Sequence, residues 1–551
     1  MKINQAVQQT GLTQKAIRFY ESKGLLQVSR SSNGYRNYTE ADIRTLKTIK
    51  QLRAAGVSLP DIRLYLGGVL SLEELTEKRK QEILKESGQS SLQYQLCDRI
   101  TDPTLAAEGF TEEEEGEPTP HGDLCVGVDL GTTTLSAVVY DLEHKRQLEA
   151  YSLPYRAYCG KEPFSEQTPA VILEKAQKFL DHILTAYRPV VRIGLTGQMH
   201  GIVYLNGDGA PVSNLINWQD QRGDLPLGEG STACAEIQRI TGESVATGYG
   251  LVTHYYNHRK GLVPAEAQCF CSIMDLFGML LCGRKTPLVH ASVAASFGLY
   301  DLKNHRFQTE KLGALGLDPA ILPPVTADSA LLGEYRGIPV SVALGDHQAA
   351  FLGAVQQEEA VLSVNIGTGS QISAVSPYCI PAKGIELRPL TEGRYLLCGS
   401  ALCGGSAYAM LEEFFRSYLG TDQAQYATMN TLAEDAYRRG EQGLWVDTAF
   451  SGTRQEPRRR GSVQGIDRHS FTPAALILGV LKGMCEELYS FYAEFPQKAT
   501  RIVASGGAVR RNELLQQLLR DRFALPLTLN SAAEEAATGA AIFSSQARSR
   551  L

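Results

Sequence analysis

The sequence predicts three folded parts: a small helical domain with a β-hairpin, followed by two α/β domains of related layout. The first 66 residues contain three helix-capping patterns and one strong hairpin signal, with 11 Lys and Arg against 4 Asp and Glu. Further along, two Gly/Thr-rich turns lie about 235 residues apart, each between two strand-like runs. At 551 residues, the chain has room for about three domains of ordinary size.

The overall composition is that of an ordinary folded protein. Hydrophobic residues make up 43% of the chain and charged residues 21%, which excludes a wholly disordered chain, a collagen and a disulfide miniprotein. No apolar run reaches the roughly 18 residues that a membrane span needs, and no apolar signal core follows Met1. The 11 cysteines are odd in number and form no Cys-x-x-Cys pair. We therefore expect reduced thiols in a cytoplasmic protein with no membrane partner.

The charge of the chain is divided between its two ends. Residues 1–66 carry a formal charge of +7, and the remainder of the chain carries −13. A basic segment on an acidic body suggests an anionic partner for that segment alone, and nucleic acid is the usual one. The charge alone fits a solvated basic surface equally well. The local sequence pattern therefore has to distinguish a nucleic-acid-binding segment from such a surface.

Capping patterns predict three helices in the basic segment. Thr13 is expected to cap a helix that runs to about Lys23, and Thr39 and Ser58 each cap a further helix. Between the first two helices, the Asn33-Gly34 pair is the strongest short signal for a hairpin, because both turn residues need a positive φ. A helix, a turn, a helix and then a basic aromatic hairpin form the plan of a winged helix-turn-helix.

Two strings in this segment resemble the DNA-binding domain of MerR-type regulators. They are LTQKAIRFYESKGLL (12–26) and SSNGYRNYTEADIRTLKTIKQLRAAGVSLPDI (31–62), and the resemblance covers residues 1–70. It implies a double-stranded DNA operator as partner and a homodimer formed through a helix that follows. It also implies DNA contacts from the recognition helix (Thr13, Lys15, Arg18 and Tyr20) and from the hairpin (Tyr35 and Arg36).

Residues 71–123 connect this domain to the acidic body. A possible dimerisation helix within 71–100 has an apolar face compatible with Leu72, Leu75, Ile83 and Leu84. Residues 101–123 then contain a run of four glutamates, three prolines and few apolar side chains. We expect these residues to be an acidic linker that stays solvated and mobile.

Glycine-rich turns predict a phosphate site in the body. Residues 124–129 have the pattern of a buried strand, and the turn 131–134 leads into a second strand. A second strand–turn–strand unit has its turn at 367–370, and a third glycine unit lies at 505–508. Glycine lets a phosphate chain approach the backbone closely, and threonine adds hydroxyl donors.

Two such turns in separate halves predict a nucleotide held between two related domains, at 124–355 and 356–551. Asp129, at the end of the first strand, is placed to hold Mg²⁺, the counter-charge that phosphates need. Taken alone, the first turn equally fits an ordinary hairpin, because Asp-x-Gly turns are common.

Four segments of the body resemble the FGGY carbohydrate kinases. They are LTGQMHGIVYLNGDGAPVSNLINWQDQR (195–222), LGDHQAAFLGA (344–354), NIGTGS (365–370) and SGGAVRRNELLQQLL (505–519). The resemblance covers about 124–545, and it implies two domains of the actin-like, ribonuclease H-like fold that phosphorylate a sugar with ATP. Residues 198–201 (Gln-Met-His-Gly) and 450–466 most resemble the sedoheptulokinase group, and xylulokinases share the first of these elements.

This resemblance also implies roles for individual residues. Asp346 would be the base that takes the proton of a sugar hydroxyl, and Asp129 would order Mg²⁺. The sugar would contact Gln198, Met199, His200, Asp220 and Asp346. ATP would contact Thr132, Thr133, Gly367, Thr368, Gly369, Gly506, Gly507 and Asn512.

Two functions of different classes remain open on the sequence alone. The first is an active kinase for a sedoheptulose-like or xylulose-like ketose, fused to a transcriptional regulator head. The second is a catalytically silent transcriptional regulator whose kinase-like body senses sugar or nucleotide. Because Asp129 and Asp346 are both present, the sequence favours the first. A head kept only for dimerisation is a third alternative.

Overall fold

A computed structural model describes most of the chain, and all structural statements concern the described residues. These are 1–26, 28–30, 35–86, 97, 122–228, 230–355, 360–380, 383–391, 393–453, 456 and 458–547. The turn at 33–34 and the linker up to residue 121 lie outside them. Within the described ranges, no helix is long and apolar enough to cross a membrane. We call residues 1–86 the head, 122–355 the first lobe and 360–547 the second lobe.

The head contains five helices and a short hairpin. The capping residues Thr13, Thr39 and Ser58 each accept a hydrogen bond from the backbone N–H three residues on, at 3.1–3.2 Å, so the three predicted helices are confirmed. The first helix was not predicted, because it follows Lys2, which is not a typical capping residue. The elements are α1 (Ile3–Thr10), α2 (Gln14–Ser22), β1 (Ser29–Arg30), β2 (Arg36–Asn37), α3 (Glu40–Ala54), α4 (Leu59–Leu66) and α5 (Leu72–Glu86).

The apolar face of the fifth helix, α5, packs against other residues of the same chain. Leu75 and Ile83 are each 1% exposed, and they belong to a buried cluster shared by the head and the first lobe. The side chain of Leu84 lies outside the described residues. The expectation that this face forms a dimer is therefore not supported, because its buried residues are already covered.

The first lobe is built on a mixed sheet in the order β7-β8-β6-β3-β4-β5, with β9 paired to β6. Strands β3, β4 and β5 form an antiparallel meander, and β6 lies parallel to β3, β8 and β9. The strands are β3 (Leu124–Leu130), β4 (Thr134–Asp141), β5 (Arg146–Pro154), β6 (Val190–Gly197), β7 (Leu331–Tyr335), β8 (Ile338–Ser341) and β9 (Leu344–Gly345).

Helices and short strand pairs complete the first lobe. The helices are α6 (Pro169–Ala186), α7 (Ala233–Thr241), α8 (Gly250–Lys260), α9 (Ile273–Leu281), α10 (Ala291–Ser296), α11 (Thr309–Ala314) and α12 (Asp346–Val355), with 3₁₀ turns at Arg222–Asp224 and Pro319–Ile321. The short pairs are Glu166–Gln167 with Leu215–Ile216, Val203–Leu205 with Cys269–Cys271, Pro226–Gly228 with Ser231–Thr232, Val289–His290 with Val325–Thr326, and Tyr300–Asp301 with Arg306–Phe307.

The second lobe repeats the central plan of the first. Its sheet has the order β12-β13-β11-β10-β14-β15, with an antiparallel meander next to two parallel strands. The strands are β10 (Val361–Ile366), β11 (Ser370–Ser376), β12 (Glu386–Pro389), β13 (Tyr395–Ala401), β14 (Arg501–Ser505) and β15 (Leu527–Leu529), and Trp445–Asp447 pairs with Ser462–Gln464. The helices are α13 (Gly405–Leu419), α14 (Tyr426–Arg438), α15 (Pro473–Ala493), α16 (Gly507–Arg510), α17 (Glu513–Phe523) and α18 (Glu535–Ser545).

The last helix, α18, leaves the second sheet and packs on the first. A Cβ added to Gly127 of β3 would lie 1.8 Å from the carbonyl oxygen of Ala537 in α18. Likewise, a Cβ on Gly539 of α18 would lie 1.7 Å from the carbonyl oxygen of Ala349 in α12. Only glycine permits such close backbone approach, so small residues join the two lobes at α12 and α18.

The head docks on the outer edge of the first lobe. The guanidinium of Arg63 in α4 donates to the hydroxyl groups of Tyr151 (2.5 Å) and Tyr187 (2.9 Å) and to the carboxylate of Glu149 (3.2 Å). Only 6% of the Arg63 side chain is exposed. The head is therefore packed on β5 and the end of α6 by a buried polar network, rather than joined to the body by the chain alone.

Candidate active site and DNA-binding surface

Asp129 and Asp346, the two carboxylates predicted for the site, lie at the carboxyl ends of strands β3 and β9 of the first sheet. Asp129 on β3 lies opposite Thr196 on β6, and Thr196 lies opposite Leu344 on β9. The Thr196 hydroxyl donates to the Leu344 carbonyl oxygen at 2.7 Å. Because neighbouring strands are about 4.8 Å apart, the backbones at Asp129 and at the start of α12, where Asp346 lies, are roughly 10 Å apart. The two carboxylates therefore come from the same end of the first sheet.

Burial perturbs both carboxyl groups. It raises the pKa of Asp129 to about 8, with Asp346 and Glu534 as neighbouring negative charges. Burial likewise raises the pKa of Asp346 to about 6, while nearby His200 and Arg388 lower it. Such shifts cluster at functional sites. A group of nearby buried carboxylates also favours a cation.

A divalent ion fits this arrangement when phosphates complete its coordination. The described residues contain no group of three His, Cys, Asp or Glu placed to hold a metal alone. Mg²⁺ usually binds one or two carboxylates, waters and substrate phosphates instead of an all-protein cage. Asp129, which is buried and close to other negative groups, is the residue that would hold it.

Three of the predicted sugar residues lie beside Asp346. Met199 is 4% exposed, and a Cβ on Gly345 would lie 2.8 Å from its sulfur, so Met199 packs closely against the residue before Asp346. His200 has a positive φ of 71° and contacts the Ser296 carbonyl oxygen through Nδ1 at 2.7 Å. Its ring also stacks on Tyr249, which sequence reasoning missed, with centroids 4.8 Å apart. The imidazole is therefore held in one orientation near the base.

Several buried polar atoms in the two segments that resemble the sugar and catalytic segments find no hydrogen-bond partner within the described structure. They are Gln198 Oε1, Asn217 Nδ2, His347 Nδ1 and Gln348 Oε1. Gln198 uses only its Nε2, which donates to Gln167 at 3.0 Å. Buried polar groups are almost always satisfied, so unsatisfied ones at a cleft are typical of a site for a polar ligand. A polyhydroxylated molecule supplies both donors and acceptors.

Asp220 has a different role from the predicted one. It is fully buried, and its carboxylate accepts from Arg222 Nε at 2.7 Å, from the Arg222 backbone at 2.9 Å and from the Ser165 backbone at 2.8 Å. Arg222 Nη2 adds a further bond at 3.0 Å. Both oxygens are engaged, so the expectation of a direct sugar contact from Asp220 is corrected: this residue fixes the loop.

The first Gly/Thr turn, residues 131–134, is accessible to solvent, and residues outside the turn hold it in place. Thr133 is exposed and Thr132 is half-buried. The indole N–H of Trp218 donates to the Thr132 hydroxyl at 3.0 Å. Tyr155, at the end of β5, donates its N–H to the Thr133 carbonyl oxygen at 2.9 Å and its hydroxyl to the Gly131 carbonyl oxygen. The turn is thus fixed by hydrogen bonds from Trp218 and Tyr155, and Thr133 stays exposed.

The second turn lines a cavity of about 470 Å³ that extends to His347, the residue after Asp346. Gly367, Thr368 and Gly369 line it from the second lobe, and His347, next to Asp346, lines it from α12. The prediction missed the Gly404-Gly405 pair at the start of α13. Its two N–H groups donate to the carbonyl oxygens of Thr368 and Gly367 at 2.9 and 2.8 Å. These glycines support the turn from behind, and a second Gly-Gly pair in the sequence was the available signal.

The third glycine unit abuts the second turn. Gly506 has a φ of 94°, and a Cβ there would lie 2.4 Å from the carbonyl oxygen of Ile366, directly before the turn. A Cβ on Gly507 would meet only the side chain of Arg511, at 2.8 Å. Asn512 is 6% exposed and caps α17 by accepting from Leu515 N at 2.9 Å. Capping engages the Asn512 side-chain oxygen, and the expectation that Asn512 contacts adenosine stays a prediction.

The predicted DNA contacts divide into surface and core residues. Thr13, Lys15 and Arg18 are exposed on one side of α2, and Tyr35 is 74% exposed. Tyr20 is 5% exposed and packs in the core of the head, so the structure does not support it as a surface contact. Arg36 forms an ion pair with Glu21 of α2 at 2.7 Å. That pair joins the hairpin to the recognition helix.

Two lobes that each repeat one sheet plan, with a base and glycine turns at the cleft, define the class of two-lobed phosphotransferases. The chain belongs to the FGGY family of carbohydrate kinases: the models of its N-terminal and C-terminal domains match residues 124–353 and 362–547. The model of the MerR HTH family of regulatory proteins matches residues 1–68. The chain is therefore a carbohydrate kinase with a MerR-type head, and its family uses ATP and a divalent metal.

Curated relatives cover the kinase body. Sedoheptulokinase from Mus musculus is 26% identical over 476 residues, which span 76% of this chain and 96% of the mouse protein. The human sedoheptulokinase is 26% identical over 472 residues, with the same coverage. Xylulose kinase from Staphylococcus xylosus is 23% identical over 446 residues, which span 76% of this chain and 89% of that protein.

Solved structures confirm the predicted fold of the body. The crystal structure of xylulose kinase from Rhodospirillum rubrum superposes with a TM-score of 0.65 at 21% identity, covering 77% of this chain and 90% of that chain. The crystal structure of gluconate kinase from Lactobacillus acidophilus gives 0.64 at 20% identity, covering 76% and 88%. These likenesses concern the two-lobed, actin-like fold.

Proposed function

We propose that the body transfers the γ-phosphoryl group of ATP, with Mg²⁺, to a hydroxyl group of a ketose. The observation that carries this proposal is the shared cleft. His347, adjacent to the base Asp346, and the turn 367–370 line the same cavity from opposite lobes. A phosphate chain held by the turn is therefore placed next to the group that deprotonates the acceptor.

The chain contributes mainly position and charge to this reaction, as phosphoryl transfer requires. Asp346 Oδ1 accepts the N–H of His347 at 2.6 Å, which leaves Oδ2 to take the proton of the sugar hydroxyl. The backbone donors of the turns at 131–134 and 367–370 would hold the phosphates. Mg²⁺, held by Asp129, would supply positive charge to the transferred group.

A neutral, polyhydroxylated acceptor suits the sugar side of the cleft. The unsatisfied atoms there include oxygens of Gln198 and Gln348 and nitrogens of Asn217 and His347, and none of them belongs to an Asp, Glu, Lys or Arg side chain. The similarity to sedoheptulokinases and a xylulose kinase supports a ketose in particular. We therefore propose a sedoheptulose-like substrate, with a xylulose-like one as the alternative.

The test is ADP release over a panel of ketoses, aldoses, glycerol and gluconate, with wild type and Asp346→Asn side by side. The proposal expects turnover highest with one ketose and abolished by Asp346→Asn. The matched control is Asp208→Asn, because Asp208 is an exposed carboxylate paired with Lys285 on the surface. Turnover with gluconate or glycerol but no ketose would contradict the proposed substrate class.

We also propose that the head binds a double-stranded DNA operator. The exposed residues Thr13, Lys15 and Arg18 on α2, together with Tyr35 on the hairpin, support this. Selection from a random duplex library, followed by sequencing, would identify the operator. Failure to enrich any sequence, with the head folded, would contradict the proposal.

A sugar-sensing regulator without turnover is the second candidate, favoured by the fusion itself. Ketose-dependent thermal stabilisation in the absence of any ADP release would select it over the kinase. Asp129 and Asp346 at one sheet edge favour the active enzyme.

A further inference from the structure

The contact between the head and the first lobe includes a lysine that reaches the kinase sheet. Lys78 of α5 is 14% exposed, and its ammonium group donates to the Asp61 carboxylate of α4 at 2.5 Å. It also donates to the backbone carbonyl oxygen of Ser152 on β5 at 2.7 Å. Strand β5 is the edge of the first sheet, where backbone carbonyl groups lack a neighbouring strand. Lys78 takes the place of such a neighbour at this point.

Strand β5 leads directly to the first phosphate turn. Two residues after Ser152 the strand ends, and Tyr155 follows. The backbone N–H of Tyr155 donates to the Thr133 carbonyl oxygen, and its hydroxyl donates to the Gly131 carbonyl oxygen. A shift of β5 at Ser152 therefore moves the residue that holds the turn at both ends.

A second series of neighbouring residues connects Ser152 to Asp129 across the first sheet. Ser152 lies opposite Ser136 on β4, and Ser136 lies opposite Asp129 on β3. The Ser136 side chain bonds to the carboxylate of Glu534, and Lys78 is the positive charge that acts on Glu534 from the head. Glu534 is also one of the two carboxylates that act on Asp129. Lys78 thus balances part of the negative charge around the metal residue.

We propose that Lys78, a residue of the helix following the DNA-binding domain, is a positioning residue for the phosphate and metal site of the kinase. This inference rests on the proposed kinase function. The head is then a structural part of the nucleotide site as well as a DNA-binding module, although Lys78 itself touches neither substrate.

Lys78→Met is the variant that tests this role, and Lys175→Met is its matched control. Lys175 of α6 spans the same interface through Glu74 at 2.5 Å and is 19% exposed, but it does not bond to β5. Loss of interface stability alone would affect both variants equally. Thermal melting would establish that both remain folded.

We expect Lys78→Met to raise the KM for Mg·ATP about fivefold, with the KM for sugar unchanged. Lys175→Met should leave the KM for Mg·ATP and the KM for sugar unchanged. Lys78→Arg should have the wild-type KM for Mg·ATP. Tyr155→Phe should raise the KM for Mg·ATP as Lys78→Met does. An unchanged KM for Mg·ATP in Lys78→Met, or equal rises in both Met variants, would overturn the proposal. If Lys78→Met fails to fold, the KM values for Mg·ATP of Tyr155→Phe and Lys78→Arg test the proposal instead. A KM for Mg·ATP that is unchanged in Tyr155→Phe would then overturn it.

A calorimetric measurement separates this proposal from the proposed function. If the wild type phosphorylates no sugar, the affinity for Mg·ADP is compared in the same variants. A fivefold loss confined to Lys78→Met and Tyr155→Phe would still support positioning by the head, even though the kinase function had failed. Equal affinities in all variants would overturn it.

Discussion

The guanidinium of Arg63 lies 2.9 Å from the hydroxyl of Tyr187, so a residue of the DNA-binding head is bonded to the residue that directly follows the kinase body's first long helix. Arg63 also donates to the backbone carbonyl oxygen of Lys23, at the end of the recognition helix, at 2.7 Å. One buried side chain therefore contacts both the helix predicted to enter the DNA groove and the surface of the kinase.

Replacing this residue should destabilise the whole chain. We expect Arg63→Ala to lower the free energy of unfolding by about 3 kcal/mol, because the hydroxyl groups and carboxylate around it stay buried without their cation. Denaturant unfolding measures this loss. The control is Lys178→Ala, whose ion pair with Glu174 is exposed on both sides and should contribute little to stability. Equal stabilities of the two variants would contradict the docked arrangement.

The pH dependence of turnover should follow Asp346. Because burial raises its pKa to about 6, the base is ionised above that pH and protonated below it. At saturating Mg·ATP, where the bound cation would keep Asp129 ionised, we expect kcat/KM for the sugar to fall about tenfold per pH unit below pH 6 and to level off above it. Steady-state rates between pH 5 and 8 check this, with Asp208→Asn as the control that keeps the profile. An acidic limb centred near pH 4 would show that the base is solvated.

Asp129 should make the ligand-free chain less stable at higher pH. Its pKa in the folded protein is raised to about 8 by burial, with Asp346 and Glu534 adding to the effect. The folded state therefore holds this proton more tightly than the unfolded state does. The resulting stabilisation is complete below about pH 4 and is lost as the pH rises through about 8.

Melting temperatures between pH 5 and 9 measure this loss. Asp129→Asn should flatten the profile, and Mg²⁺ with nucleotide should raise the melting temperature of the wild type most at the upper end. A wild-type profile identical to that of Asp129→Asn would exclude the effect.

Gly506 should not tolerate a side chain. Its φ of 94° already disfavours any other residue, and an added Cβ would lie only 2.4 Å from the Ile366 carbonyl oxygen, so backbone strain and a steric clash combine. We expect Gly506→Ala to destabilise the chain by about 3 kcal/mol and to weaken ATP binding. Gly465→Ala is the control, because Gly465 has a φ of 77° with open space around it and should cost about 1 kcal/mol. Equal losses would show that the contact at Ile366 is unimportant.

Arg18 should contribute to DNA affinity through its charge. We expect Arg18→Ala to weaken duplex binding and to reduce the salt dependence of log Kd by about one ion, as loss of one phosphate contact does. Fluorescence anisotropy at several salt concentrations measures both. The control is Lys303→Ala, an exposed cation on the first lobe. An unchanged salt dependence would place the DNA elsewhere on the head.

Local signals made much of this structure predictable. The caps at Thr13, Thr39 and Ser58 depend on bonds to the third residue on, which a sequence shows directly. The turn at 367–370 was predictable because glycine and threonine between two strand-like runs form a pattern that suits a phosphate site. The position of Asp346 beside it came from the family resemblance.

The errors arose where distant residues decide the outcome. Asp220 has the right chemistry for a sugar contact, but Arg222 and the backbone of Ser165 occupy both of its oxygens. Leu75 and Ile83 have the pattern of a dimer helix, yet the surface that covers them belongs to the same chain. The bond between Lys78 and Ser152 joins residues 74 positions apart, so no local pattern could indicate it.

The packing of α18 on the first sheet has a consequence for synthesis on the ribosome. Gly127 near the start of the first lobe packs against Ala537, which is translated only after all strands of the second sheet. The nascent first lobe must therefore persist with one face of its sheet uncovered while the entire second lobe is made. Chaperones that shield exposed apolar strands could bind during that interval, and truncation before residue 535 would leave that face permanently uncovered.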